Sequence, residues 1–356
     1  MNKHEYTLLL EKRSRRNKHP LTMQLELTPL CTLHCKMCYV LLQPSEVESA
    51  GGVLSTEKWL KIIDEAVDAG VLNITLTGGE AMLHPGFRAI YQRAYDKGLL
   101  VSIITNATLI DDDMADFLAS RPPEAVCITL YGASPDTYER LCGNRAGYRK
   151  ALQGIYKLLE RHLKVSLQTT LTKDNIQDVV SIRNFALELN VPYTFNNYLS
   201  PYGQCSTRCV QQNEVSEEER NAVLLEINPL YKQQQQQQLK AAHEALDSIS
   251  PQDLISCAGM RCGAGNNSFQ VNWKGQMGLC TMLDECRIDI VNGALLDAWN
   301  SLVRCASIIP QIPECIQCPH TNCVRCIAAH YADVKQYGIR SERLCPVLQD
   351  RNRDND

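Results

Sequence analysis

The residues with the most chemistry to offer are thiols. The chain carries 17 cysteines in 356 residues; three of them form the triplet Cys31-Thr-Leu-His-Cys35-Lys-Met-Cys38, and most of the others lie beyond residue 256. A reducing compartment keeps thiols from pairing, so a cysteine count of this kind points to metal rather than to disulfides. Three thiolates at CxxxCxxC spacing can hold three corners of a cube of iron and sulfide and leave the fourth iron without a protein ligand. An iron so exposed is reactive. The same three cysteines, with one more Cys or His from elsewhere, can also make a structural tetrahedral zinc site.

A second motif, Thr77-Gly78-Gly79-Glu80, ends the next strand expected after the triplet. Paired glycines let a backbone approach a ligand closely, and a carboxylate suits a cationic amine. Downstream, Thr105-Asn106-Ala107-Thr108 and Thr129-Leu130-Tyr131-Gly132 end the third and fourth expected strands. The tail reads Cys257, Cys262, Gly275, Cys280, then Cys315-x2-Cys318-x4-Cys323-x2-Cys326, and Cys345. Eight thiolates complete two four-cysteine shells, either for iron–sulfur clusters or for a pair of zinc ribbons. Six cysteines remain: Cys127, Cys142, Cys205, Cys209, Cys286 and Cys305. Cys127 reads as core, Cys205 and Cys209 as a CxxxC pair on a loop, and Cys286 as the rival to Cys257 for the last ligand position.

The elements that must position these groups alternate. Leu21–Thr28, Leu72–Thr77, Leu99–Thr105, Ala125–Leu130, Lys164–Thr170 and Tyr193–Tyr198 read as strands, and Thr56–Ala69, Pro85–Lys97, Asp112–Ala119, Ala146–Arg161 and Asn175–Leu189 as helices. Six strand-then-helix units in series predict an α/β fold with a parallel sheet and right-handed crossovers, either open or curled into a partial (β/α)6 barrel, followed by a cysteine-rich module, iron–sulfur or zinc. Ligands then belong at the C-terminal ends of the strands. The expected divisions are an N-terminal extension over 1–20, the barrel over 21–200, a helical linker over 201–256, the cysteine module over 257–346 and a polar tail over 347–356. The run Gln233–Gln238 reads as part of a solvated helix or linker without a chemical role. The cysteine-rich tail is short of long periodic elements, so metal is expected to supply what its small core cannot.

Composition limits the partners. With 36 Lys+Arg against 40 Asp+Glu the net charge is −4, and no long basic block is present to track nucleic-acid phosphates. The polar first twenty residues hold only the short apolar stretch Leu8-Leu9-Leu10, too little for a signal peptide or a membrane span, so a cytoplasmic protein is expected.

In its triplet and GGE motif the sequence over roughly 21–200 resembles the radical S-adenosylmethionine superfamily, and its tail closely resembles the SPASM module of that superfamily's peptide- and protein-modifying enzymes. The resemblance implies three 4Fe–4S clusters and an enzyme that cleaves S-adenosylmethionine at the first, yielding a 5′-deoxyadenosyl radical. By the same resemblance Cys31, Cys35 and Cys38 ligate that cluster; Gly78, Gly79 and Glu80 hold the methionine ammonium; Asn106 lines the nucleotide pocket, Thr129 meets the ribose and Arg145 the methionine carboxylate. Tyr39 follows the third cysteine, and Met37 stands where relatives carry an aromatic residue before it. The interleaved connectivity of relatives implies Cys257, Cys262, Cys280 and Cys326 around the nearer auxiliary cluster and Cys315, Cys318, Cys323 and Cys345 around the outer one.

Clusters fully ligated by cysteine cannot grasp substrate, which makes accepting an electron their expected task and a net oxidation the expected reaction. The resemblance implies a peptide substrate, a cross-link or other C–H functionalisation and an electron donor such as flavodoxin or ferredoxin, with any leader recognition coming from a separate leader-binding protein or from the core enzyme. Oxidation of a Ser or Cys in a sulfatase ranks lower, because Thr281 follows Cys280 where the sulfatase-maturing relatives carry a basic Asp, with Asp284 the nearest carboxylate. A radical dehydrogenase of a small molecule and a non-catalytic iron–sulfur or zinc protein are the other readings.

Overall fold

Six parallel strands cross the sheet in chain order: β1 (Thr22–Glu26), β2 (Asn73–Thr77), β3 (Leu100–Thr105), β4 (Ala125–Thr129), β5 (Val165–Thr170) and β6 (Tyr193–Asn196). The computed structural model describes residues 3–196, 198–248, 258–320 and 323–353. The register sets Glu26 of β1 beside Thr77 of β2, so the C-terminal strand ends come together at one rim. Period-two alternation then decides which side chains face which way. Met23, Leu25, Ile74 and Leu76 are fully buried, packed with Trp59 and Ile63 of the helix Thr56–Asp68 and with Phe87 and Tyr91 of the helix Phe87–Asp96. Each such side chain contributes roughly 1.5–3 kcal/mol on burial. The opposite face carries Gln24, Thr77, Thr129 and Thr194, which line one cavity although four strands separate β1 from β6 in the sheet. The sheet is therefore curled, as the partial barrel requires.

Local signals start the helices close to where the sequence places them. Ser55, Asp111, Ser134 and Asn144 each cap a helix by accepting a backbone N–H three residues on. Pro85 differs from expectation: a short 3-10 turn over Ala81–Leu83 and an N-cap at Gly86 delay the helix to Phe87. The extension before β1 forms a helix, Lys3–Asn17, unanticipated by the polar reading of that segment.

The cysteine-rich tail is less separate than its composition implies. β7 (Ser268–Val271) pairs in parallel with β1, and β8 (Gln276–Gly278) and β9 (Ile288–Asp289) continue antiparallel, giving a nine-stranded sheet ordered β6-β5-β4-β3-β2-β1-β7-β8-β9. The tail also holds a 14-residue helix, Leu295–Ile308, whose Leu295, Trp299 and Leu302 are buried. Its Trp299 indole N–H donates to the Lys18 carbonyl at 2.7 Å. Between barrel and tail run the helices Thr207–Asn213, Glu217–Ile227 and Tyr231–Asp247, the last enclosing the whole glutamine run. Among the described residues no helix is long and apolar enough to cross a membrane.

Candidate active site at the barrel mouth

The triplet lies on the loop after β1, held from two sides. From one, His34 and Lys36 donate their backbone N–H groups to the carbonyls of Cys142 (2.8 Å) and Leu141 (3.0 Å) at the end of the helix Pro135–Cys142. From the other, Gly79 N–H donates to Thr28 O at 2.7 Å and Glu80 N–H to Leu30 O at 2.8 Å. A Cβ on Gly79 would stand 2.3 Å from Leu30 O and one on Gly78 2.5 Å from Thr28 O, so both glycines are required by the backbone that leads into the cysteine loop.

All three thiols line one cavity of about 460 Å³, a size suited to a nucleotide-sized ligand. Leu33 N–H and the Asn106 side-chain amide both donate to Cys31 Sγ at 3.4 Å, and Leu41 N–H donates to Cys38 Sγ at 3.4 Å. Burial pushes the Cys31 thiol up to about 12 and Cys38 up to about 11. Cys35 is raised well above the thiol range, first by its hydrogen bond to the neighbouring Cys142 thiol and then by burial. Three desolvated thiolates side by side repel one another unless a cation compensates them, which is the service a metal centre performs. Among the described residues no three His, Cys, Asp or Glu side chains converge on a single ion. The donor set fits a larger unit: three sulfurs face a shared cavity, with N–H donors directed at two of them.

The remaining residues anticipated here divide into those the fold brings to the cavity and those it does not. Gly78, Gly79, Asn106, Thr129 and Tyr39 line it. Asn106 also ties the loop together, donating to Thr32 Oγ1 at 3.1 Å while its carbonyl accepts from the Thr108 hydroxyl at 2.7 Å. Thr129 accepts from the Gln168 amide at 2.9 Å. Glu80 does not fit the expected ammonium contact: its carboxylate is fully buried, absent from the lining, and already accepts from Thr105, Asn106 and Met82. Burial raises it above the usual carboxylate range. Arg145 also departs from expectation. It occupies the first turn of the helix Arg145–Glu160, where its side chain is 61% exposed and pairs with Asp136 outside the cavity. Asp284 is likewise on the surface, 86% exposed and 3.4 Å from Arg287. No described lining residue is Lys, Arg, Asp or Glu.

Several further neighbours join the site that their residue types alone do not mark. The Tyr131 hydroxyl hydrogen-bonds the Cys35 sulfur, and its signal was visible as a tyrosine at the fourth strand end. Cys142 meets Cys35 only because a helix end packs on the loop. The Tyr39 and Tyr202 rings lie 4.8 Å apart, Gln204 N–H donates to Tyr39 O at 2.7 Å, and the Cys209 thiol donates to Lys36 O at 3.3 Å. Cys205 hydrogen-bonds Cys209 and lines the cavity, so the CxxxC pair sits directly under the triplet.

The tail cysteines collect into two sets. Cys280 feels Cys326 and Cys262, and burial pushes it up to about 11. Cys315, pushed up to about 12 by burial, feels Cys345, Cys323 and Cys318, and those four surround one small void. Cys257 lies outside the described residues. Its rival Cys286 lies beside Cys305, Cα to Cα 6.3 Å.

Residues 25–186 match the model of the Radical SAM superfamily. Over 160 residues the chain is 29% identical to the PqqA peptide cyclase of Granulibacter bethesdensis, covering 45% of this chain and 42% of that protein. It is 30% identical over 197 residues to the Fe-coproporphyrin III synthase of Methanosarcina barkeri, covering 55% and 48%. The sporulation killing factor maturation protein SkfB of Bacillus subtilis matches at 29% over 163 residues, covering 46% and 38%. The chain thus spans about half the length of the curated relatives it matches. In fold it is similar to Streptococcus suis SuiB, with a TM-score of 0.66 and 16% identity over 94% of this chain and 81% of that one. It is also similar to anSMEcpe with bound AdoMet and Cp18Cys peptide, with a TM-score of 0.64 and 14% identity over 94% and 95%.

Proposed function

We propose that this chain, whose residues 25–186 match the Radical SAM superfamily model, oxidatively modifies a peptide at the mouth of the barrel. Cys31, Cys35 and Cys38 would hold the S-adenosylmethionine-binding cluster; Cys262, Cys280 and Cys326 with Cys257, and Cys315, Cys318, Cys323 and Cys345, would hold two more. With S-adenosylmethionine bound, this equipment supplies a 5′-deoxyadenosyl radical that takes a hydrogen atom from carbon, and a sink for the electron that a net oxidation releases.

The chain's own residues bind, orient and exclude water. The observation that supports the reading is that the three thiols share one cavity with the C-terminal ends of β2 to β6 and with Gln24 of β1. The Tyr131 hydroxyl and the Asn106 amide donate to Cys35 and Cys31, fixing the thiolates and spreading their charge. The Gly78-Gly79 backbone offers an edge next to the loop, and the Thr129 hydroxyl is held in place by Gln168. The Tyr39 and Tyr202 rings pack tilted against each other on one side of the cavity, and Phe195 and Tyr198 also line it. These aromatic walls keep bulk water from the reacting C–H and restrict its position.

Relatives named as a peptide cyclase and as the maturation protein of a killing factor favour a peptide. An external one-electron donor of the flavodoxin or ferredoxin kind, and a separate leader-binding protein, complete the proposal. A small-molecule substrate has one observation on its side, the relative named Fe-coproporphyrin III synthase. Co-expression with short peptides encoded beside the gene, followed by mass spectrometry, separates the two. Loss of two hydrogens per bond formed is expected; unmodified peptides alongside active S-adenosylmethionine cleavage would move the assignment to a small molecule.

A further inference from the structure

Phe195 and Tyr198 stand in the wall of the cavity at the barrel mouth. Both residues also line a second cavity of about 520 Å³, which runs between the linker helices and the cysteine loop at Cys323–Cys326. That space in turn shares Asn221, Tyr231, Gln235 and Gln349 with a third of about 500 Å³. The three lie side by side, each sharing wall residues with the next, and outline a trough from the triplet to the linker helices.

One wall of the trough is the glutamine run. Within the helix Tyr231–Asp247, residues 231, 234, 235 and 239 fall on one face, and Tyr231, Gln234, Gln235 and Leu239 line the outer cavities. Asn221 and Asn228 from the preceding helix and its end add two more amides, and Asn228 Nδ2 donates to Gln234 Oε1 at 3.2 Å, bracing the wall. A side-chain amide offers two donors and an acceptor without charge. The ligand that matches a row of such groups is an extended polypeptide, whose N–H and C=O groups must be satisfied wherever it leaves water.

Resting on the peptide reading above, we propose that this trough is the binding site for the stretch of substrate flanking the reacting residue, with Asn221, Gln234 and Gln235 pairing with its backbone. Recognition of backbone by amides is tolerant of side-chain sequence, so the trough supplies affinity and direction while the barrel mouth selects the residue to be modified. The glutamine run, read from sequence as a solvated helix, becomes part of the substrate site.

The test uses the reconstituted full chain and, as probe, a random library of end-blocked decapeptides whose captured members are sequenced. The triple variant Asn221→Ala, Gln234→Ala, Gln235→Ala retains good helix formers and is checked for unchanged helicity. The wild type should enrich peptides at least tenfold over the variant. For one enriched peptide, backbone N-methylation at positions flanking the reacting residue should weaken binding about tenfold, side-chain replacement there should change it less than twofold, and binding should slow hydrogen exchange over residues 231–239. Equal enrichment by the variant overturns the trough and leaves the peptide reading standing. No enrichment by the wild type overturns both.

Discussion

The backbone N–H of Asn106 donates to Oε2 of Glu80 at 2.9 Å, joining the end of β3 to the end of β2. The Thr105 hydroxyl reaches the same oxygen at 2.8 Å, and Met82 N–H reaches the other at 3.3 Å. Because the Asn106 side chain continues to Cys31 Sγ, one chain of contacts links the glutamate of the GGE motif to the first thiol of the triplet. The carboxylate braces the strand ends from beneath the cavity.

Replacing Glu80 by Ala leaves the Asn106 and Met82 N–H groups without an acceptor at a position with no solvent access. An unpaired buried donor costs about 1–3 kcal/mol. Thermal unfolding under anaerobic conditions should show a loss of roughly 3 kcal/mol and several degrees in Tm; an unchanged Tm would show that these bonds do not hold the strand ends.

Asn106→Ala removes the amide that faces Cys31, Thr32 and Thr108 together. Outer contacts of this kind typically change metal affinity or activity about 10–100-fold. S-Adenosylmethionine cleavage should fall in that range while the fold persists by circular dichroism, and wild-type cleavage would remove Asn106 from the account.

Tyr131→Phe deletes the hydroxyl that hydrogen-bonds Cys35 and keeps the ring. Hydrogen bonds to ligating sulfurs raise a cluster's reduction potential by stabilising the more negative state. A redox titration followed by electron paramagnetic resonance should place the variant's first cluster lower than the wild type's. A potential that does not move would mean the hydroxyl points elsewhere in the loaded protein.

Glu26 sits on β1, 5% exposed, with Gln270 donating to it at 3.3 Å. Burial pushes its carboxyl up to about 7, with Arg287 opposing and Asp284 adding to the rise. In the unfolded chain the group titrates near 4.5, so the folded protein holds the proton more tightly between those two values. Its contribution to stability is complete below the lower value and is lost as pH rises through the upper, a span worth roughly 3 kcal/mol. Glu26→Gln should flatten this part of the stability profile and leave the variant more stable than wild type at pH 8, as read by chemical denaturation; parallel profiles would refute the assignment.

How much of this was legible in the sequence depends on how local each signal is. The six strands and the cysteine loop follow from alternation and spacing over a few residues, and β1 to β6 lie within two residues of the expected bounds. What failed needed the third dimension. Arg145 follows the helix cap Asn144, which turns it to the surface, and no residue type announces that turn. Glu80 reads from sequence as a ligand-binding group because its partners Thr105 and Asn106 lie 25 and 26 residues away. The pairing of β7 with β1 joins segments some 245 residues apart, so a boundary drawn from cysteine density cut through a continuous sheet. The glutamine run is uninformative as composition and gains meaning only from the cavity beside it.

The central claim is that Cys31, Cys35 and Cys38 hold a centre that acts on S-adenosylmethionine, separate from those of the tail. Its most direct test is the triple variant Cys31→Ala, Cys35→Ala, Cys38→Ala, reconstituted without oxygen and assayed for both iron and nucleotide cleavage. The account predicts that cleavage disappears while about two-thirds of the iron remains, since two of three four-iron centres are untouched. Cleavage at the wild-type rate in this variant would contradict it.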